Sequence, residues 1–385
     1  MSDVSVGMKI YDNDWFLKYG LSPEAAADRM VELGVGFVIT QSRYMPMADS
    51  AVPSAVPAEM ADRYAELDDL AFRRALAERG IDYFACMNVG FDPEAARMHP
   101  EWLPIDQHGV RGDMVDWYVG IAPDRDAFVA AKAEALEAAL HILKPDGVHL
   151  GFVRWPGFWE TWLPENSRAD LREFSFDDHT LEKFNAASGE DVPLGDPVRA
   201  AAYVAAHCRE AFTAYKCEAT RGMMARLRAS VHRVRPTAPI AINTLPFFAT
   251  EFDGAVTEVL GQDVRGLRDV VDIFEVMAYH QILKRDARWP AQIARDIADR
   301  ASRRVMCTLQ SAPHYLSGMH AGRGRAEDVT ADEIETALLG AIEAGLEAVC
   351  FFTFADFLDP AAGARKAEVL RHHFSASRRP RLVRG

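Results

Sequence analysis

Eight short apolar runs, each separated from the next by a stretch of helical periodicity, limit how this chain folds more than any other feature. The runs are Val4 to Tyr11, Gly36 to Thr40, Ile81 to Met87, the run opening at Asp146, Ile240 to Ile242, Val271 to Tyr279, Val305 to Leu309 and Val349 to Phe354. They are nearly uncharged and alternate little between apolar and polar residues, as strands covered on both faces do. Helices are expected over Ala25 to Leu33, Met60 to Arg79, Asp126 to Leu143, Val198 to Val234, Asp263 to Val270, Trp289 to Ser302, Ala331 to Ala344 and Arg365 to Phe374. The first is well punctuated, with Ser22 as N-cap, Pro23 at its first position and Gly34 as its stop. Eight strand and helix pairs predict an α/β fold, a single (β/α)8 TIM barrel over 1–385, with a loop insertion at 157–197 after the fourth strand. The alternative is an open doubly wound sheet. It would often bring a glycine-rich phosphate loop after the first strand, and none is present.

In a barrel the C-terminal strand ends converge on one mouth. Those ends carry Asp12, Gln41, Asn88, Arg154, Asn243, Glu275 with Tyr279 and His280, Gln310, and Asp356. The fourth run passes abruptly from DGVHLGFV into Arg154, Trp155, Pro156, Trp159 and Glu160. Amides and carboxylates with Trp15, Trp155, Trp159 and Trp289 near them in sequence suit a polyhydroxylated ligand, because amides pair with hydroxyls and indoles cover the apolar faces of sugar rings. Taken singly, each amide is as well explained as a loop hydrogen-bonder and each tryptophan as core. Glu275 shares a face with Met277 and Tyr279 by the period of two, so it points either into the barrel or at the helices. A catalytic and a structural role both remain open for it. The insertion brings Trp159, Glu160, Trp162 and the Phe174 to Asp178 segment, expected as one wall of the mouth.

Charge and composition exclude several classes. A net charge of −14 argues against a nucleic-acid partner, and 49% hydrophobic with 26% charged residues is ordinary globular usage. The five cysteines, Cys86, Cys208, Cys217, Cys307 and Cys350, form no C-x-x-C pair and read as reduced core thiols. No basic leader and no long apolar stretch is seen, so no membrane contact and a cytoplasmic location are expected. The basic tail from Arg378 to Arg384 reads as a solvated end. His149, His280 and His314 are scattered, with no H-x-H or H-x-x-x-H spacing, so neither a metal nor another cofactor is expected.

The segments Gln41 to Val52, Gly147 to Pro156, Gly261 to Leu267 and Asp272 to Leu283 resemble those of the uncharacterised glycoside-hydrolase-like TIM barrels, and the similarity spans most of the chain. The resemblance implies a carbohydrate ligand. Those barrels commonly carry an aspartate in strand four, in a pattern like L-D-F-x-R-W; this sequence has Gly151 there, while Arg154 and Trp155 match. The departure weakens hydrolysis. The expected function is a glycoside hydrolase acting on a small oligosaccharide or glycoside, with a non-catalytic carbohydrate-binding protein derived from such an enzyme as the alternative. Glu275 and Asp356 are the expected catalytic carboxylates, with Asp12 and Glu160 in reserve. Asp12, Gln41, Asn88, Arg154, Trp155, Trp159, Glu160, Asn243, Tyr279, His280 and Gln310 are the expected sugar contacts.

Overall fold

A computed structural model of the chain describes residues 4–11, 13–45, 58–113, 118–313, 324–374 and 379–383. The strands are β1 (Ser5–Ile10), β2 (Val35–Thr40), β3 (Asp82–Asn88), β4 (Gly147–Gly151), β5 (Ile240–Thr244), β6 (Ile273–Ala278), β7 (Arg304–Gln310) and β8 (Ala348–Phe352). They pair in sequence order, all parallel, and β8 returns to β1 through Ser5 opposite Ala348, so the sheet is a closed barrel. The (β/α)8 expectation is met.

Why the runs lack alternation is visible in how the two faces are filled. Val6, Met8 and Ile10 of β1 point outward and join the core shared with the helices. Phe37, Ile39, Phe84, Cys86, Ala241, Ile273, Met306, Ala348 and Cys350 point inward and form a separate core within the barrel. Both faces of each strand are therefore dry, and a polar residue on either one needs an internal partner. Gly7 and Gly147 make room in the interior: a Cβ at either would overlap the rings of Phe37 and Phe84 respectively.

The helix boundaries follow local chemistry. Ser22 Oγ accepts from Ala25 N at 3.2 Å to start Pro23–Glu32, and Gly34, at φ 76°, turns the chain into β2. The single helix expected over 60–79 is two, Ala61–Ala65 and Asp69–Glu78, because the Asp68 carboxylate accepts from Leu70 N and Ala71 N and caps a new start. The helix expected over 198–234 runs as Pro197–Tyr203, a wider π turn at Val204–Cys208, and Arg209–Val234. The insertion at 157–197 holds a helix of its own, Asp178–Ser188, capped by Asp177. Phe176, Leu181 and Phe184 anchor it on Phe212 in a satellite core.

The C-terminal tail is not a solvated end. Leu382 is buried in the inner core at the floor of the barrel, and Arg381 Nε donates to Asp82 Oδ1 at 2.6 Å. No helix among the described residues is long and apolar enough to cross a membrane.

Candidate active site

The strand ends open into a cavity whose volume, with its open mouth included, is about 770 Å³. Its lining is Lys9, Tyr11, Gln41, Asn88, Phe152, Arg154, Trp159, Glu160, Asn243, Met277, Tyr279 and Phe352. Seven of the expected contacts meet there: Gln41, Asn88, Arg154, Trp159, Glu160, Asn243 and Tyr279. The lining comes from the C-terminal ends of several strands, which is how positions far apart in sequence come together.

Other expected contacts lie elsewhere. Trp155 is wholly buried on the helix side, its Nε1 donating to the Lys216 carbonyl at 3.0 Å. His280 is buried with its Nε2 at 3.7 Å from Glu333 Oε1, against the helix Ala331–Glu343; burial lowers its imidazole's pKa. Gln310 folds back on the loops, accepting from the amides of Gln281 and Ile282 and donating to the Ala312 carbonyl at 2.8 Å. Asp356 is spent on a cap: its Oδ2 accepts from Thr353 N at 2.7 Å and Ser311 Oγ at 2.6 Å, and it is no part of the cavity wall. A catalytic Asp356 therefore finds no geometry to support it. Asp12 and His314 lie outside the described residues.

Glu275 points inward, one layer deeper along β6 than Met277, and has no exposed surface. Lys9 Nζ sits 2.7 Å from its Oε1, which also accepts from Thr308 Oγ1. Asn243 Nδ2 donates to Oε2 at 2.6 Å, and His149 Nε2 lies 2.7 Å from the same oxygen. Burial alone would raise the carboxyl's pKa, but Lys9 and His149 outweigh it and hold it down at about 2. His149 is tied in turn to Cys86, Nδ1 to Sγ at 3.2 Å, and its pKa is raised: burial opposes protonation, while Cys86 and Glu275 favour it more strongly. Glu275 is thus an ionised group with its acceptor capacity taken, the opposite of what a proton donor needs.

Glu160 has the complementary environment. It follows Trp159 in a single 3-10 turn at the start of the insertion, is buried, and forms part of the cavity wall. Burial pushes its carboxyl up to about 7, although Arg154 pulls the other way. Arg154 favours the ionised form but does not outweigh burial. In the same wall Trp159 is tilted against Tyr279 at 6.1 Å, and Tyr279 is stacked on Phe352 at 5.2 Å. Trp162 and Phe174, expected on the same wall, line a second cavity, about 760 Å³ with its open mouth included, together with Phe158 and Tyr118.

Sequence reasoning missed Lys9, Tyr11, Phe152, Met277 and Phe352 as part of the wall. Lys9 carried a usable signal, a lysine within an otherwise apolar strand, which needs a buried anion. Gly151 is explained by its neighbours: a Cβ there would overlap Asn88 Oδ1 and come within 3.0 Å of Asn243 Oδ1. Two amides occupy the space an aspartate would use. Among the described residues no cluster suited to a metal ion is found.

No family model and no curated protein matches the chain. Solved structures do. The glycoside hydrolase domain of PgaB (BpsB) from Bordetella bronchiseptica superposes with a TM-score of 0.65 at 15% identity, over 97% of this chain and 99% of that one. A β-galactosidase from the psychrophilic Marinomonas ef1 gives 0.61 at 11% identity, over 97% of this chain and 61% of its own. α-L-Fucosidase isoenzyme 2 from Paenibacillus thiaminolyticus gives 0.57 at 16%, over 96% of this chain and 48% of its own. The chain thus spans about half to three fifths of the latter two. At these identities the likeness is one of fold, a barrel shared with glycoside hydrolases.

Proposed function

We propose that the protein is a glycoside hydrolase acting on a small oligosaccharide or glycoside, with Glu160 as the general acid. The observation that carries this reading is a buried carboxyl at the C-terminal mouth whose pKa lies near 7, in a cavity walled by Trp159, Tyr279, Phe352 and Tyr11. A carboxyl kept neutral by apolar surroundings donates its proton to a glycosidic oxygen as the C1–O bond breaks, the aglycone leaves as a neutral alcohol, and water forms the new C1–O bond while its proton returns to the Glu160 carboxylate. Gln41, Asn88 and Asn243 supply amides to the sugar hydroxyls, and the aromatic rings cover its apolar face. The fold shared with the PgaB domain and the β-galactosidases supports the same reading.

A second reading, a carbohydrate-binding protein without turnover, is favoured by one observation. Most glycosidases use two carboxylates, and Glu160 is the sole one among the described residues of the wall. Gly151 leaves no room for another on β4. The test is turnover of a panel of nitrophenyl glycosides beside calorimetric binding of the parent sugars. Hydrolysis that drops roughly 10²- to 10⁴-fold in Glu160→Gln supports the first reading. Binding without turnover supports the second, and neither binding nor turnover removes both.

A further inference from the structure

We infer that the sugar recognised in this cavity carries a carboxylate, as a hexuronic acid does, and that the Arg154 guanidinium receives it. The inference rests on the carbohydrate reading above and names the substrate class within it.

Six lysines and arginines among the described residues are almost wholly buried: Lys9, Arg125, Lys132, Arg154, Lys216 and Lys366. Five have a carboxylate within ion-pair distance, Lys9 on Glu275, Arg125 on Asp124 and Asp177, Lys132 on Asp92, Lys216 on Glu173, and Lys366 on Asp328 at the 4.0 Å limit. Arg154, 4% exposed, has none among the described residues. Its side chain's hydrogen bond goes from Nη2 to the Gly157 carbonyl at 3.2 Å, and its Nε has no partner. A guanidinium stays protonated at any pH at which proteins fold, so it cannot escape its burial by losing the charge. A buried, uncompensated cation is costly, and such a group persists where a ligand supplies the missing anion.

The surroundings fit that role. Arg154 forms part of the cavity wall, and its planar group lies 5.0 Å from the Phe152 ring centre and 5.6 Å from that of Tyr118, two rings that fix its orientation. Glu160 acts on Arg154 electrostatically but lies beyond ion-pair distance, and with its pKa near 7 it is largely neutral in mild acid. Lys9 is already matched by Glu275. Among its described residues the wall is left with one unmatched positive charge, which suits a singly charged carboxylate better than a doubly charged phosphate. The guanidinium's planar array of donors also matches a planar carboxylate.

The test uses two sugar pairs that differ only at C6: methyl glucoside with methyl glucuronide, and methyl galactoside with methyl galacturonide. Binding is measured by calorimetry at pH 6, below the Glu160 value. The uronide of at least one pair is expected to bind about tenfold tighter than its neutral partner, and Arg154→Met to bring that ratio to about one. Arg154→Lys, which keeps the charge and loses the planar fork, should keep part of the preference. Should the methionine variant fail to fold, the wild-type ratio measured at rising ionic strength serves instead and should fall. Equal or tighter binding of the neutral sugar in both pairs overturns the inference and leaves the carbohydrate reading standing. So does a uronide preference unchanged in Arg154→Met, or one unchanged by salt where that is the readout. If no sugar of either pair binds, the carbohydrate reading itself falls and takes the inference with it.

Discussion

Lys9 of β1 and Glu275 of β6 meet at 2.7 Å inside the barrel, with 1% and 0% of their side chains exposed. The pair spans the barrel, and Lys9 and Asn243 connect it to the cavity at the mouth. Removing one partner leaves the other charged in a dry interior. Glu275→Gln or Lys9→Met should each cost about 3–5 kcal/mol in unfolding free energy. Urea denaturation checks this, and the double variant should lose less than the sum of the two. The acid side provides a second readout. The folded value near 2 lies below the ordinary 4.5, so this carboxylate's contribution is full above about pH 4.5 and is lost as pH falls toward 2. Glu275→Gln should flatten that part of the stability profile.

Glu160 has the opposite sign. Its folded value of about 7 lies above the ordinary 4.5, so its contribution to stability is full below pH 4.5 and is lost as pH rises to about 7. If Glu160 is the acid, kcat/KM should fall about tenfold per pH unit above 7, and Glu160→Gln should lose both the activity and this alkaline limb. An alkaline limb that survives in Glu160→Gln belongs to another group.

Strand order, the closed barrel and the convergence of Gln41, Asn88, Arg154, Glu160 and Asn243 were legible because they follow from period and position along each strand. The inward direction of Glu275 was half legible. The period of two gave its face-mates, Met277 and Tyr279, but the cost of a buried carboxylate could not be judged while its partner Lys9 was unrecognised at the other end of the sequence. Asp356 and Gln310 misled for a different reason: a short polar side chain at a strand end serves its own loop as readily as a ligand, and only coordinates tell these apart. The tail misled through composition, since its arginines hid Leu382.

Gly151 offers a direct test of packing at the mouth. Placing an aspartate on β4 with Gly151→Asp drives its Cβ into Asn88 Oδ1, so the substitution should destabilise by about 1–3 kcal/mol. Pairing it with Asn88→Ala should recover part of that loss, measured as a rise in Tm over the single variant. A single variant as stable as wild type would mean that Asn88 yields readily.

The floor of the barrel should be separable from its mouth. Leu382 fills the inner core beside Phe37, Phe84 and Ile273, held there by Val383 N donating to Asp82 Oδ2 at 2.7 Å and Arg304 Nη2 donating to the Leu382 carbonyl at 2.9 Å. Asp82 itself is fully buried at the start of β3, so losing the tail exposes apolar floor and takes from a carboxylate its partners Arg381 and Val383 N. Leu382→Ala should cost about 2–5 kcal/mol by urea denaturation, the range for a leucine cut from a packed interior. Removing residues 379–385 should cost more. Sugar binding by the folded Leu382→Ala protein should stay within about twofold of wild type, because the cavity wall is built from the opposite strand ends. A loss of affinity without loss of fold would show that floor and mouth are coupled through the barrel's inner layers.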